Sequence, residues 1–416
     1  MEPDAQNRYK QVASLPGSVG GRTYGDDMRL LHTSDWHLGR SLHRCDLRAA
    51  QAGFLDHLVD VVRAERVDAV LVSGDVYDRA VPPVDAVELC ESALVRLREA
   101  GARIVLISGN HDSARRLGFG SRLVDAAGVH LRTRVGQCAE PVLLGDSHGD
   151  VAVYGVPYLE PEAVRSELPP DPADPSAEPP RGHPGVLGRG LSCVRADLAT
   201  RSTGRSVVLA HAWVTGGAAS ESERDVTVGG VAQVPASLFD GFTYGALGHL
   251  HGPQVLAAGL RYSGSPLAYS FSEAAQVKGS WLVELDAAGL ARVEHVPAPV
   301  PRRLSCVRGS FDELLTSPAF EGQRQDWLTA VYTDAARPDG AMERLSTRFP
   351  HVLVLQHEPE GVTPDGRTYG ARVAGRSDLD IGAAFVEHVR RAPPEDAERL
   401  LLEQALEAGR LVAASA

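Results

Sequence analysis

The chain has 416 residues, 43% of them apolar, and a formal net charge of −12. This length predicts one large domain with one or two smaller ones, and the apolar content is sufficient for ordinary hydrophobic cores. The negative charge argues against a protein that holds nucleic acid through a basic surface of its own, because phosphate affinity comes largely from Lys and Arg.

The sequence lacks the patterns of a membrane or secreted protein. No run approaches the roughly 20 apolar residues of a membrane-spanning helix, and residues 1–27 are polar and Gly-rich, without the apolar centre of a signal peptide. The five cysteines lie far apart with no CxxC pair, which indicates free thiols and neither a disulfide framework nor a zinc knuckle. We therefore expect a cytoplasmic protein with no membrane partner, in which residues 1–27 are a disordered or non-native extension.

Strands and helices alternate in the first part of the chain. Residues 28–33 are predicted to form a strand, and 47–65, 68–72, 84–100 and 103–107 a helix, a strand, a helix and a strand in turn. Further strands are expected at 129–132, 151–156, 207–210 and 244–247. Alternation of this kind is typical of a layered α/β fold.

Prolines mark the expected domain boundaries. Six prolines between residues 168 and 180 each remove a backbone donor and fix φ, so we expect a flexible surface insertion near 166–204. A proline-rich stretch at 297–301 is expected to be a linker, and Pro393 and Pro394 separate two predicted amphipathic helices. We expect a main domain, a small α+β domain and a helical tail, at residues 28–299, 300–376 and 377–416 respectively.

Five short segments end in side chains that bind metals, and most of them follow a predicted strand. They are Asp35-Trp36-His37, Gly74-Asp75, Gly109-Asn110-His111-Asp112, Ala210-His211 and Gly248-His249-Leu250-His251. Because the carboxyl ends of neighbouring strands meet at one edge of an α/β sheet, we expect these side chains to converge there. Two carboxylates, one amide and three or more imidazoles form a ligand set for two divalent cations such as Mn²⁺, Fe²⁺ or Zn²⁺. The sequence therefore predicts a two-metal phosphoesterase.

In phosphodiester hydrolysis these residues are expected to have different roles. Two metal ions about 3.5–4 Å apart, bridged by one carboxylate, generate a hydroxide nucleophile and neutralise charge on the phosphoryl oxygens. Asp75 is the expected bridge, since an Asp after Gly at a strand end can present both oxygens. His111 adjoins Asn110 and is expected to be the general acid for the leaving alkoxide. Asp78 and Asp112 are candidate carboxylates that orient imidazoles.

Several other polar residues have an ordinary interpretation. The remaining histidines are expected to be solvated or hydrogen-bonded, with His43 a weak exception because it lies near the first motif. Four arginines follow the metal motifs closely and are candidates for contact with phosphates, although a solvated side chain explains them equally well. These arginines are Arg40, Arg44, Arg115 and Arg116.

Longer motifs around the five segments carry a resemblance to a known family. They are MRLLHTSDWHLG at 28–39, VSGDVYD at 72–78, GNHDS at 109–113, GHLHGPQ at 248–254 and YSGSPLAYSFSE at 262–273. With these motifs the chain resembles the calcineurin-like metallophosphoesterases and, among them, the SbcD family of nuclease subunits. The resemblance is strong from residue 28 to about residue 285 and weaker, but consistent in order and size, beyond it.

The resemblance implies a fold and a set of metal ligands. The fold would be a layered α/β metallophosphoesterase β-sandwich flanked by helices, with a small α+β DNA-capping domain and a C-terminal helical tail. One metal ion would be held by Asp35, His37 and His251, and the other by Asn110, His211 and His249. Asp75 would bridge the two ions, His111 would be the catalytic histidine, and the metal would be Mn²⁺.

The resemblance also implies an activity and partners. The family acts on DNA in repair, recombination and replication, as a 3′→5′ exonuclease on duplex ends and an endonuclease on single strands and hairpins. It works as a homodimer within a heterotetramer that contains an SbcC-type coiled-coil ATPase. The helix at 84–100 would be a candidate dimer contact, and the tail would dock on the ATPase. Two bound cations would add about four positive charges at the cleft, so the local field and the net charge can differ in sign.

Two alternatives remain open. A stand-alone phosphodiesterase or phosphatase could use the same two-metal centre on small substrates, although such an enzyme has no need of a capping domain and an amphipathic tail. The other alternative is a non-catalytic adaptor with a vestigial site. The presence of every expected ligand argues against it. Three departures from the family pattern are the Ala210-His211 pair in place of Gly-His, the proline-rich insertion and residues 1–27.

Overall fold

The computed structural model describes residues 27–223, 233–360, 375–390 and 392–414. The expected N-terminal extension therefore lies, apart from Asp27, outside the described residues. The chain divides into two compact units, Met1–Pro301 and Arg302–Ala416. No helix in the described ranges combines the length and the apolar content needed to cross a membrane.

The described residues of the first unit form fourteen strands. In chain order they are β1 Met28–Thr33, β2 Ser41–Leu42, β3 Cys45–Asp46, β4 Ala69–Ser73, β5 Arg103–Ile107, β6 Val129–Arg132, β7 Val142–Asp146, β8 Gly149–Val156, β9 Ser206–His211, β10 Tyr244–Gly248, β11 Gln254–Ala257, β12 Leu260–Tyr262, β13 Gly279–Asp286 and β14 Gly289–Pro297. Its helices are α1 Arg48–Glu65, α2 Val84–Glu99, α3 Ala114–Leu117, α4 Ser121–Asp125, α5 Pro161–Val164 and α6 Gly182–Leu198.

Twelve of these strands form two six-stranded sheets. The first sheet has the order β14-β13-β1-β4-β5-β6, and the second has the order β11-β12-β10-β9-β8-β7. The central strands of both sheets are parallel, and antiparallel pairs occur at the β13/β14 edge of the first sheet and at both edges of the second. The strand–helix alternation predicted from the sequence accounts for the parallel strands.

The two sheets pack face to face because alternate side chains of each strand point to opposite faces. In β4, Leu71 packs with Leu209 of the second sheet in the core between the sheets. Val70 and Val72 point the other way and pack against α1 and α2. The structure is thus a layered β-sandwich flanked by helices, as the resemblance implied.

Helix α6 was not predicted, because it lies within the segment that we expected to be a flexible insertion. Residues 166–181 and 199–204 lack helix and strand there, whereas α6 occupies the residues between them. Val186, Leu191 and Val194 of α6 are fully buried and pack against the outer face of the second sheet. The expectation of a flexible insertion over 166–204 is therefore wrong for its second half, where apolar side chains at helical spacing cover a sheet.

The second unit begins with a small parallel sheet. Its strands are β15 Leu304–Gly309, β16 Trp327–Tyr332 and β17 Val352–His357, and its helices are α7 Phe311–Thr316, α8 Ala341–Arg348, α9 Asp378–Arg390 and α10 Asp396–Ala414. Phe311, Leu314, Leu345 and Phe349 pack on the sheet to form a separate core. Ser310 caps α7 in a reciprocal capping box with Glu313. The predicted break between the tail helices is confirmed, since Pro393 and Pro394 fall between α9 and α10.

Candidate metal centre

The five motif segments meet at the carboxyl ends of strands from both sheets. In the first sheet, β1 leads to Asp35 and His37, β4 to Asp75, and β5 to Asn110 and His111. In the second sheet, β9 ends at His211, and β10 leads to His249 and His251. The expectation of a single sheet edge is therefore wrong, because the sandwich brings the edges of two sheets together to build the site.

One group of side chains converges near Asp75. The donor atoms of Asp35, His37 and His251 all lie within 4.8 Å of one another. The Nε2 atoms of His37 and His251 are 3.0 Å apart, and Nε2 of His37 is 3.7 Å from Oδ2 of Asp75. The backbone amide of His249 also donates to Oδ1 of Asp35 at 3.1 Å, which ties the two sheets together at this point.

A second group of side chains converges near the same carboxylate. Oδ1 of Asn110 is 2.9 Å from Nε2 of His211 and 3.2 Å from Nδ1 of His249. Nε2 of His211 lies 3.5 Å from Oδ2 of Asp75. One carboxylate oxygen therefore lies within 4 Å of an imidazole from each group, as a bridging ligand requires.

The backbone at the site adopts conformations that ordinary residues avoid. Asp35, His37, Asp75 and His249 have φ values of 53°, 44°, 49° and 106°. Left-handed φ at non-glycine residues costs free energy and is concentrated where function constrains the chain. Gly109 permits a close approach, since a Cβ there would lie 2.1 Å from Oδ1 of Asp75.

Burial and mutual charge set the protonation of these groups. Burial lowers the pKa of His249 to about 3 and that of His37 well below its ordinary value. Burial alone would raise the pKa of Asp75, but the imidazoles around it, led by His211, hold that pKa well below the usual range. His37 and His249 are therefore neutral and Asp75 is ionised, which are the forms that bind divalent metal ions.

The donor set fits two divalent cations. Two imidazole nitrogens face each other at 3.0 Å in a site where both side chains are fully buried. When the hydrogen of each neutral ring is on Nδ1, both Nε2 lone pairs face the centre, and a divalent cation bound there would accept both. Carboxylate, amide and imidazole donors in this mixture suit first-row transition metals.

His111 lies beside Asp75 and is 7% exposed. Its backbone amide donates to Oδ1 of Asp75 at 2.8 Å, and its Nδ1 is 2.8 Å from the carbonyl oxygen of Asp78. Nε2 of His111 remains 3.9 Å from Oδ2 of Asp75. Its ring packs edge-on against His37, with centroids 4.6 Å apart.

The two candidate orienting carboxylates differ in what they contact. The carboxylate of Asp78 lies 3.8 Å from Nδ1 of His37. Asp112, instead of an imidazole, binds the backbone amides of Val76, Tyr77 and Gly109 at 2.9–3.1 Å. It therefore fastens two ligand-bearing loops to each other. Burial raises the pKa of Asp112 to about 7.

The four candidate arginines differ in how exposed they are. Arg40 is mostly buried; it donates to the carbonyl of Ser222 at 2.8 Å, and its guanidinium lies 5.0 Å from the ring centroid of Tyr269. Arg44, Arg115 and Arg116 are exposed. Arg115 and Arg116 belong to α3, directly after the segment that carries His111.

Two buried charged residues at the site were missed from the sequence. Glu273 is fully buried next to His251, and Lys278 is 7% exposed beside it. Glu273 ends the motif at 262–273, which was noted only as part of the resemblance. Nothing in the local pattern around Lys278 predicts its burial, because its partners come from several separate loops.

Comparisons with known proteins support the assignment of a family. Residues 28–166 match the family described as calcineurin-like phosphoesterase. Residues 300–389 match the SbcD C-terminal family, described as type 5 capsule protein repressor C-terminal domain. A protein of Staphylococcus saprophyticus subsp. saprophyticus, named as the SbcD subunit of the nuclease SbcCD, is 30% identical over 333 residues, which cover 80% of this chain and 85% of that protein.

Two solved structures are also similar to part of the chain. A Thermus thermophilus protein aligns with a TM-score of 0.37 and 13% identity, covering 65% of this chain and 99% of that one. A dimetal phosphatase from Danio rerio aligns with a TM-score of 0.37 and 14% identity, covering 66% of this chain and 100% of that one. On the sequence match that spans four fifths of its length, the chain belongs to the SbcD family of metal-dependent nuclease subunits within the calcineurin-like phosphoesterases.

Proposed function

We propose that this chain is the nuclease subunit of an SbcCD-type complex. Its activity would be that of a 3′→5′ exonuclease on duplex ends and an endonuclease on single-stranded and hairpin DNA. The position of Oδ2 of Asp75 carries this proposal, since it lies 3.7 Å from Nε2 of His37 and 3.5 Å from Nε2 of His211. A carboxylate oxygen shared between two imidazole groups is what a two-metal phosphodiesterase needs.

The ligands are proposed to divide between two Mn²⁺ ions. One ion would be held by Asp35, His37 and His251, the other by Asn110, His211 and His249, with Asp75 shared by both. When bound, the ions supply a hydroxide nucleophile and neutralise charge on the phosphoryl oxygens. The protein contributes a buried, strained backbone that fixes the donors before the metal arrives.

His111 is proposed to protonate the leaving alkoxide. The carbonyl of Asp78 can only accept a hydrogen bond, so Nδ1 of His111 carries a hydrogen. In the imidazolium form the second proton is on Nε2, which lies 3.9 Å from Oδ2 of Asp75. After that proton leaves, the Nδ1 hydrogen bond is unchanged, and the ring keeps its orientation.

DNA binding by an acidic chain requires local positive charge. The exposed side chains of Arg115 and Arg116 on α3 are proposed to contact backbone phosphates beside the cleft, and Arg44 on the β2–β3 turn is a third candidate. Arg40 is proposed to act closer to the metal ions, since its buried Nη1 makes no hydrogen bond and lies 3.7 Å from Oδ1 of Asp78 beside the centre. The two cations and a partner subunit would supply the remaining attraction.

Exposed apolar side chains point to partner surfaces. Val84 and Val87 of α2 are 74% and 43% exposed, and Phe119 and Leu123, around α3 and α4, are 88% and 82% exposed. Each pair lies three or four residues apart in the chain, and exposed apolar side chains that lie together mark interaction sites. We assign this surface to a homodimer, in which Phe119→Glu should convert the dimer to a monomer in sedimentation, while Val255→Glu, at another exposed valine, should not.

The second unit is assigned to DNA capping and to the ATPase. Residues 300–376 are proposed to cap DNA. The tail at 377–416 is proposed to dock on an SbcC-type coiled-coil ATPase, because Phe385, Leu400 and Leu401 are 61%, 55% and 63% exposed on its helices. The complex would then be a heterotetramer of two nuclease and two ATPase chains.

The decisive experiment is Mn²⁺-dependent digestion of hairpin and blunt duplex DNA, with and without the ATPase and ATP. The expected result is hairpin cleavage by the chain alone and ATP-dependent degradation of duplex ends in the complex. Asp75→Ala should lose at least one metal ion and the activity with it. Hydrolysis of a small phosphodiester without any DNA cleavage would favour the stand-alone phosphodiesterase instead.

A further inference from the structure

Glu273 and Lys278 form a buried ion pair directly behind His251. Glu273 is fully buried, Lys278 is 7% exposed, and their charged atoms are 2.5 Å apart. Burying two charges costs free energy that a single pairing seldom recovers. The location of this pair, behind a residue that we propose as a metal ligand, suggests a role for it beyond stability.

The hydrogen bonds around Glu273 have a defined direction. Oε2 accepts from Nζ of Lys278, and Oε1 accepts from the hydroxyl of Ser222. A serine hydroxyl has one hydrogen, and an ionised carboxylate can only accept, so the hydrogen of Ser222 points to Glu273. The lone pairs of Ser222 then face Nδ1 of His251, 2.5 Å away. Nδ1 must therefore donate, and Nε2 of His251 is left with its lone pair.

That lone pair points into the metal centre, where Nε2 of His251 lies 3.0 Å from Nε2 of His37. We propose that Glu273, acting through Ser222 and held by Lys278, is a positioning residue that fixes the metal-binding tautomer and orientation of His251. The inference rests on the proposed two-metal function. Partners of this kind behind a ligating histidine typically change metal affinity by about 10–100-fold when they are removed.

Further contacts of the lysine and the serine fix the loop as well as the ring. Nζ of Lys278 donates to the carbonyl of His251 at 2.8 Å and to Oγ of Ser265 at 3.0 Å. The carbonyl of Ser222 accepts a hydrogen bond of 2.8 Å from Arg40, which lies three residues after His37 in the chain. The positioning network thus joins both histidines that face each other across the site.

The test compares matched serine variants of the full-length chain in Mn²⁺ titrations by calorimetry. Ser222→Ala removes the bridge to His251, and we expect affinity for one of two Mn²⁺ ions to fall about tenfold or more. Ser222→Thr keeps the hydroxyl and should restore the affinity. Ser220→Ala removes a neighbouring hydroxyl that donates to Glu223 at 2.6 Å and makes no hydrogen bond to the imidazole, and should bind both ions normally.

A double variant tests the carboxylate itself. Glu273→Gln together with Lys278→Met leaves no unpaired buried charge, and should weaken one Mn²⁺ site about 10–100-fold. The exchange-coupled electron paramagnetic resonance signal of the Mn²⁺ pair should give way to that of a single ion. The free energy of unfolding in EDTA should be the same for Ser222→Ala and Ser220→Ala. This comparison separates an effect on metal binding from an effect on general stability.

The outcomes distinguish the inference from the function on which it rests. Failure of the unmodified chain to bind two Mn²⁺ ions would overturn the proposed metal centre. If the unmodified chain binds two ions, and Ser222→Ala and the double variant bind them with the same affinity, the positioning role alone is overturned.

Discussion

The Nε2 atoms of His37 and His251 lie 3.0 Å apart although 214 positions separate the two residues in the chain. His37 follows a strand of the first sheet and His251 a strand of the second, so their approach depends on the packing of the sandwich. A metal ion held between them would connect the two sheets. Metal binding and stability of the first unit should therefore be linked.

Mn²⁺ should stabilise the first unit against unfolding. A ligand that binds only the folded state at 100 times its Kd contributes about 2.7 kcal/mol per site. Thermal unfolding in EDTA and in rising Mn²⁺ measures the shift. His37→Ala should reduce it, whereas His130→Ala, at a buried histidine that pairs with Asp125 away from the site, should leave the Mn²⁺-dependent shift unchanged. Equal shifts in both variants would contradict the metal-mediated link.

His111→Gln should retain both metal ions and lose about 10²–10⁴-fold in cleavage rate, the range that general acid catalysis contributes. The substitution leaves the backbone amide that donates to Asp75 in place. Single-turnover cleavage of a hairpin and metal analysis of the same sample check the two parts. A full rate with the variant would remove His111 from the acid role.

Metal affinity should fall as the pH falls. Burial opposes protonation of His211, but the charge of Asp75 outweighs it and raises the pKa of His211 to about 9. Below about pH 9 the metal must displace that proton, so its apparent affinity should drop about tenfold per pH unit. Burial raises the pKa of Asp35 to about 6, which adds a second proton and a steeper slope below that pH.

Calorimetry in two buffers of different ionisation enthalpy measures this proton release directly. Between about pH 6.5 and 8.5, release close to one proton per first Mn²⁺ ion is expected. The same measurement on His211→Ala should show this proton missing. An affinity that does not change with pH in the unmodified chain would contradict the coupling between His211 and Asp75.

Gly109→Ala should disrupt the centre, because its Cβ would overlap Oδ1 and the backbone nitrogen of Asp75, at 2.1 and 2.4 Å. Overpacking of this kind costs about 1–3 kcal/mol and displaces the proposed bridging ligand. Gly53→Ala is the matched control, since Gly53 lies on α1 with open space around it and should gain about 0.5–1 kcal/mol. Chemical denaturation measures the stability of both variants, and metal analysis measures their metal content. An unchanged metal content in Gly109→Ala would contradict the predicted displacement of Asp75.

Deletion of residues 378–416 should leave single-strand endonuclease activity intact and end co-purification with the ATPase. The physical reason is that the tail exposes Phe385 and Leu401, which need an apolar partner surface. Pull-down with the tagged ATPase, alongside an endonuclease assay on the same preparation, separates the two effects. Retained co-purification would remove the tail from this role.

The sequence analysis succeeded where the signal is local. Strand β4 is a run of buried aliphatic residues that stops at Gly74, so both the strand and the position of Asp75 at its end were predictable. The same holds for β5 and the segment after it. Helix α6 was missed because its buried face, with Val186 and Leu191, follows a proline-rich stretch that dominates the local composition.

Other features depend on residues far apart in the chain. The partners of Asp112 are backbone amides of Val76, Tyr77 and Gly109, and no sequence pattern distinguishes such a carboxylate from one that orients an imidazole. Likewise, Lys278 resembles an ordinary surface lysine in the sequence, and only the convergence of three loops shows that it is buried against Glu273.

The sequence by itself determined which donors this protein carries, because a buried strand, a glycine and a polar side chain at its end form a local pattern. It also determined the family, since the longer motifs around those donors are specific. Only the tertiary structure decided that two sheets share the site, that His37 meets His251, and that Glu273 lies behind it. These contacts join residues separated by tens to hundreds of positions, and the packing of one sheet on the other sets their distances.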